Sequence, residues 1–174
     1  MDNSFLIYLD RLEVMAFFSG YALIYLVIRS LGDTGWIKRL TKINILSLLP
    51  YAYALLGILY LGLQLKNLYP DYTPAHIISA TPEPYLKFWG LLSILFFIPA
   101  LAKKPLFSLL HSLVFFFFVV RDLFLHVIQS TEKDVVRNDM NIYTISLLIN
   151  MAAFIFIVFV YFLYARLKNR KALK

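Results

Sequence analysis

Hydrophobic positions in this chain gather in long unbroken runs, not in the alternation of a strand or the one-sided stripe of a surface helix. Five runs stand out: about 12–29 (LEVMAFFSGYALIYLVIR), 43–65 (INILSLLPYAYALLGILYLGLQL), 85–102 (YLKFWGLLSILFFIPALA), 106–129 and 142–165 (IYTISLLINMAAFIFIVFVYFLYA). An α-helix rising about 1.5 Å per residue needs roughly 20 apolar residues to cross a hydrocarbon core ~30 Å thick. The runs have that length, and none alternates as a barrel strand would. They predict an all-α integral membrane protein, a bundle of five transmembrane helices forming a single domain over 1–174.

The segments between the runs set the expected connections. KNLYPDYTPAHIISATPEPY carries Pro70, Pro74, Pro82 and Pro84, each without an N–H donor and each biasing its predecessor away from helix, so an extended loop is expected. The turn AKKP makes the third and fourth runs antiparallel neighbours. The opening MDNSFLIYLDRLEV lacks the basic n-region and cleavage site of a signal peptide, so the first run is expected to stay in the protein.

Composition agrees with the pattern. Of 174 residues, 61% are hydrophobic and 17% aromatic, above the ~45–50% apolar usage of soluble domains. The formal net charge of +7 would suggest nucleic acid if it were spread over a surface. It is concentrated instead at the ends of the apolar runs. Placing the C-terminus in the cytoplasm puts Arg29, Lys38, Arg39, Lys42, Lys103, Lys104, Arg166, Lys168, Arg170, Lys171 and Lys174 on that side, with Asp33 as their only acid. Arg11, Lys66, Lys87, Lys133 and Arg137 fall on the other side, among eight acids. This asymmetry follows the positive-inside rule and predicts the N-terminus outside and the C-terminus cytoplasmic. A bacterial inner membrane is the default location. The expected partners are the lipid bilayer and either other membrane subunits or further copies of this chain, with no nucleic acid.

Candidate chemistry is confined to polar residues inside the apolar runs. A charge at the centre of a span costs roughly 2.5–3.5 kcal/mol, so such residues normally face the bundle interior or water. In the fourth run, at about 100° per residue, Ser108, His111, Phe115, Phe118, Asp122 and His126 share one stripe, and Asp122 and His126 are an i,i+4 pair. The expected topology brings Glu13, Arg121, Asp122, His126 and Asn150 to a similar depth in the outer half, with Arg11 and Gln64 nearby and His111 deeper toward the inner side. Such a cluster could pin helices together, with Arg121 paired to Glu13 or Asp122; it could form a proton, ion or solute pathway; or it could supply an acid or base.

Several chemistries are disfavoured. The absence of cysteine removes disulfides, thiolate metal sites, cysteine nucleophiles and lipidated cysteine. No P-loop, G-x-G-x-x-G, H-E-x-x-H or G-x-S-x-G pattern is present. His111 and His126 lie about 22 Å apart along a helix, too far to hold one haem, and His76 falls in the outer loop. No cofactor, no metal and no catalytic residue is therefore expected. The function expected first is a non-catalytic subunit or accessory factor of a larger membrane assembly, and the alternative is a compact proton, ion or small-solute transporter or channel protomer.

Smaller features add packing expectations. Ala16 with Gly20, and Ala54 with Gly57, flatten helix faces for close approach. Pro50 is expected to kink the second span. Tyr51, Tyr53 and Tyr60 are expected to pack against lipid or protein, Trp36 and Trp89 to sit in the interfacial belt, and the tail RLKNRKALK to lie on anionic lipid.

Overall fold

A computed structural model of the chain describes residues 12–33, 45–70, 72–73, 84–128 and 133–172. Arg11, Trp36, His76 and most of the proline-rich loop lie outside the described residues, as do the side chains of Asp122 and His126. Regular structure among the described residues is entirely helical. In chain order it comprises α1 (12–18), α2 (Tyr21–Asp33), a 3-10 turn (Ile45–Leu48), α3 (Leu49–Leu68), α4 (Pro84–Leu92), a second 3-10 segment (Ser93–Phe97), α5 (Pro99–Ala102), α6 (Pro105–Ile128) and α7 (Lys133–Ala172). Among the described residues, three helical stretches are long and apolar enough to cross a membrane: Leu12–Leu31, Ile45–Leu68 and Tyr143–Lys168. Pro84–Phe97 and Pro105–Arg121 are shorter apolar helices.

Proline punctuates the helices. Pro84, Pro99 and Pro105 are first residues of α4, α5 and α6, and Pro50 lies in the first turn of α3. Each occupies a position where the missing N–H has no intrahelical acceptor and the fixed φ suits a helix start. Pro50 thus stands where the Ile45–Leu48 3-10 turn passes into α-helix, near the start of the second span. At the other end of α3, Tyr69 is extended ahead of Pro70 (φ −67, ψ 141), and its N–H closes the helix on the Lys66 carbonyl at 3.2 Å.

The same rule breaks the third apolar run. Ile98, preceding Pro99, is extended (φ −68, ψ 122), because the proline ring clashes with a helical predecessor. Its N–H still reaches Leu95 O at 2.9 Å, and its carbonyl accepts from Leu101 and Ala102 at 3.0 Å. The 3-10 stretch rises about 2.0 Å per residue against 1.5 Å for α-helix, so Pro84–Phe97 covers roughly 23 Å before the break.

The central helix is α3, which meets α7, α4, α6 and the second 3-10 segment. Its close contact with that segment is made at Gly57, where an added Cβ would collide with Ser93 Oγ and lie 2.9 Å from Ile94 Cγ1. The core is largely aromatic. The Phe18 ring stacks on Phe115 (5.0 Å, 26°) and meets Tyr53 and Tyr60 edge-on at 5.7 and 5.4 Å. Tyr21 packs on Tyr53 at 4.3 Å, and all five rings are fully or almost fully buried. Gly90 of α4 leaves room for the Phe18 ring, whose Cε2 would be 2.8 Å from a Cβ there. Tyr53 and Tyr60 are thus packed against protein.

Candidate functional site

Among the described residues, polar side chains meet inside the bundle at junctions built on Glu13, Asn150 and His111. At one end, the Glu13 carboxylate accepts from Gln64 Nε2 at 3.1 Å and from Asn67 Nδ2 at 3.2 Å. Gln64 and Asn67 lie one turn apart on α3, so both amides reach the same acid. This contact joins the start of the first span to the end of the second.

A second junction lies nearly two turns deeper, where the first span is interrupted. The helix pauses at Ser19–Gly20 between α1 and α2, a Gly/Ser pair of the kind that bends helices. Side chains of α7 bond to the backbone there. Gly20 N–H donates to Ser146 Oγ at 2.9 Å, and Asn150 Nδ2 donates to the Phe17 carbonyl at 2.9 Å and to Ser146 O at 2.8 Å. Ser19 Oγ donates to Met15 O at 2.6 Å and lies 3.2 Å from Ser146 Oγ. Asn150 is 2% exposed and its Oδ1 has no hydrogen-bond partner. Backbone groups freed within a membrane span must be satisfied by protein, and Ser146 and Asn150 supply that satisfaction. Gly20 permits the approach: a Cβ would lie 2.8 Å from Leu147 N and Ser146 C.

The third junction is built on His111. Its Nδ1 lies 2.8 Å from Tyr53 Oη. The Trp89 indole stacks on the imidazole at 4.7 Å and 4°, while its Nε1–H donates to the His111 carbonyl at 3.2 Å. Phe96 and Phe115 complete the surround, and the buried Nε2 has no hydrogen-bond partner. Beside it, Tyr21 Oη meets Ser108 Oγ at 2.7 Å. Trp89, 37% exposed, is thereby tied to α6 through His111.

Of the expected cluster, Glu13, Gln64 and Asn150 each find a partner, and His111 lies deeper than the rest, as its place in the fourth run predicts. Glu13 and Gln64 come together; Asn150 joins Ser19, Gly20 and Ser146; His111 pairs with Tyr53. Tyr53 is eleven residues before Gln64 on α3, roughly 16 Å along the axis, so the first and third junctions lie at different depths. Arg121 is exposed on α6. Asp122 and His126 are in the same helix, with side chains outside the described residues, and Arg11 is outside them entirely. Among the described residues no group of three His, Asp or Glu side chains comes together as a metal site.

Ser19, Ser146 and Asn67 carry no individual mark of their roles in the sequence, and neither does the choice of Tyr53 as the partner of His111. The Ser19–Gly20 dipeptide within an apolar run was the available signal for the interruption. Nothing local marks Ser146 as its partner, 127 residues away. The aromatic core, the three hydrogen-bonded junctions and the broken first span thus stand on their own: no family model, no curated protein and no solved structure matches this chain.

Proposed function

We propose that the chain is a non-catalytic subunit or accessory factor of a larger membrane assembly. It would cross a bacterial inner membrane five times, with the N-terminus outside and the C-terminus in the cytoplasm. The observation that supports this reading is the closed centre of the bundle. Phe18, Tyr21, Tyr53, Tyr60 and Phe115 fill the space between the helices with rings in mutual contact. A translocation route needs polar groups lining water across the membrane, whereas the described junctions cross-link helices at separate depths.

The outer face of α7 is the surface such a subunit would offer. Leu148, Met151, Ile155, Phe159 and Phe162 recur at three- and four-residue steps and are all exposed. That is the spacing of a helix seam able to receive another helix.

One observation favours transport as the second reading. Transporters place interrupted spans around their sites, and the Ser19–Gly20 interruption lies beside the unpartnered Asn150 Oδ1.

Purification of the intact chain from its native membrane in mild detergent, followed by mass determination, separates the two. The subunit reading expects foreign membrane subunits in fixed stoichiometry, lost when Ile155 and Phe159 are both changed to alanine. A pure homo-oligomer that carries ion or proton flux in proteoliposomes would overturn it.

A further inference from the structure

A groove of about 510 Å³ opens between the start of α3, the 3-10 end of the third run and the last turns of α7. Its walls are apolar and aromatic, formed by Tyr51, Phe97, Ile157, Tyr161 and Tyr164, with Lys103 at its edge. The volume lies within the ~300–1,000 Å³ typical of sites for small organic ligands. Tyr51 here lines an open surface, unlike the buried Tyr53 and Tyr60.

The charge beside the groove is of one sign. Lys103 is exposed in the turn between α5 and α6. On α7, Ile157, Tyr161 and Tyr164 lie at four- and three-residue steps along one face, and the exposed Lys168 continues that face one turn past Tyr164. Residues so spaced stack along a helix. The neighbouring Lys104 is turned elsewhere, with its Nζ over the Phe107 ring at 5.4 Å. The apolar lining thus runs along α7 for roughly 10 Å, from Ile157 to Tyr164, with Lys103 in its wall and Lys168 about 6 Å further along the same face.

A purely apolar occupant would leave those cations unused, and a free anion would leave the aromatic walls unused. We propose that this groove is a binding site for an anionic phospholipid, one acyl chain lying between Tyr51, Phe97 and Tyr161 and the phosphate resting on Lys103 and Lys168. This inference is independent of whether the chain serves as a subunit or as a transporter.

Native mass spectrometry of the full chain, titrated with phosphatidylglycerol, phosphatidylcholine or inorganic phosphate, tests it. Phosphatidylglycerol should bind more tightly than phosphatidylcholine. Lys103→Gln and Lys168→Gln should each reduce that preference by about fivefold, the effect of one basic residue beside an anionic surface. Lys66→Gln, at the other end of α3, should leave the preference unchanged. Ile157→Trp, which fills the groove, should weaken both lipids. Equal binding of the two lipids by the unaltered chain would overturn the proposal, as would an unchanged preference in both lysine variants. Displacement of the lipid by inorganic phosphate at similar concentration would also overturn it, since the headgroup alone would then account for binding. The exposed lysine variants leave the packed core untouched, so the test stands even if Ile157→Trp does not fold.

Discussion

Replacing Gly20 by alanine adds one methyl where the backbones of the first span and α7 pass closely. The Cβ would stand 2.8 Å from Leu147 N and from Ser146 C, and 3.0 Å from Leu147 Cα. All three atoms are backbone, so no side-chain rotation relieves the clash, and α7 must shift from the first span. Overpacking of this kind costs about 1–3 kcal/mol. The shift also stretches the Gly20 N–H to Ser146 Oγ and Asn150 Nδ2 to Phe17 O bonds, both 2.9 Å, and interhelical hydrogen bonds in membranes contribute about 0.6 kcal/mol on average. Against this, alanine gains at most about 1 kcal/mol of helix propensity, less at an interrupted turn. The net expectation is a loss of about 1–3 kcal/mol. Gly62 is the matched control, with no atom within 4 Å of an added Cβ, so Gly62→Ala should be neutral or slightly stabilising. Thermal unfolding of both variants in one detergent, followed by size exclusion, measures the difference. At about 2–4 °C per kcal/mol for a chain of this size, Gly20→Ala should melt several degrees below Gly62→Ala. Equal midpoints would refute the close crossing and the satisfaction of the broken span by α7.

Three further outcomes are expected. Tyr53→Phe removes the hydroxyl that meets His111 Nδ1 at 2.8 Å; it should cost about 0.6–1.7 kcal/mol, and His111→Phe should cost less in that background than alone. A double-mutant thermal cycle measures this coupling, and additivity within about 0.3 kcal/mol would remove the pair from the account. Asn150→Leu withdraws the donor from Phe17 O in the buried interior, whereas Glu13→Gln alters a contact made partly by the exposed Asn67; thermal unfolding should show the first variant distinctly less stable and the second changed by under about 1 kcal/mol. Single cysteines placed in this cysteine-free chain at Asn67 and Lys168 should differ in intact cells, the first labelling with an impermeant reagent and the second not; the reverse pattern would invert the proposed orientation.

Much of the architecture was legible in the sequence because the bilayer imposes a length and polarity rule that operates locally. Runs of about 20 apolar residues declare helices without reference to their neighbours. Proline likewise acts locally: Pro84, Pro99 and Pro105 begin helices because of their own rings. Pro50 marks a change within the second span, and the structure gives its form, a 3-10 turn passing into α-helix.

Pairing among the polar residues was not legible, because it depends on how helices rotate and how deep each one sits. A common depth put Glu13 near Arg121, yet the rotation of α3 gives Glu13 to Gln64 and Asn67. Asn150 was marked by its polarity alone, while its role comes from a backbone interruption in a helix far away in sequence. The groove beside Lys103 is also tertiary: its walls come from α3, the broken third run and α7. Length, helicity and charge asymmetry are summed along the chain, so the sequence by itself determines them. Which polar atoms meet depends on rotations of a few tens of degrees between helices, and only packing of the aromatic core decides those.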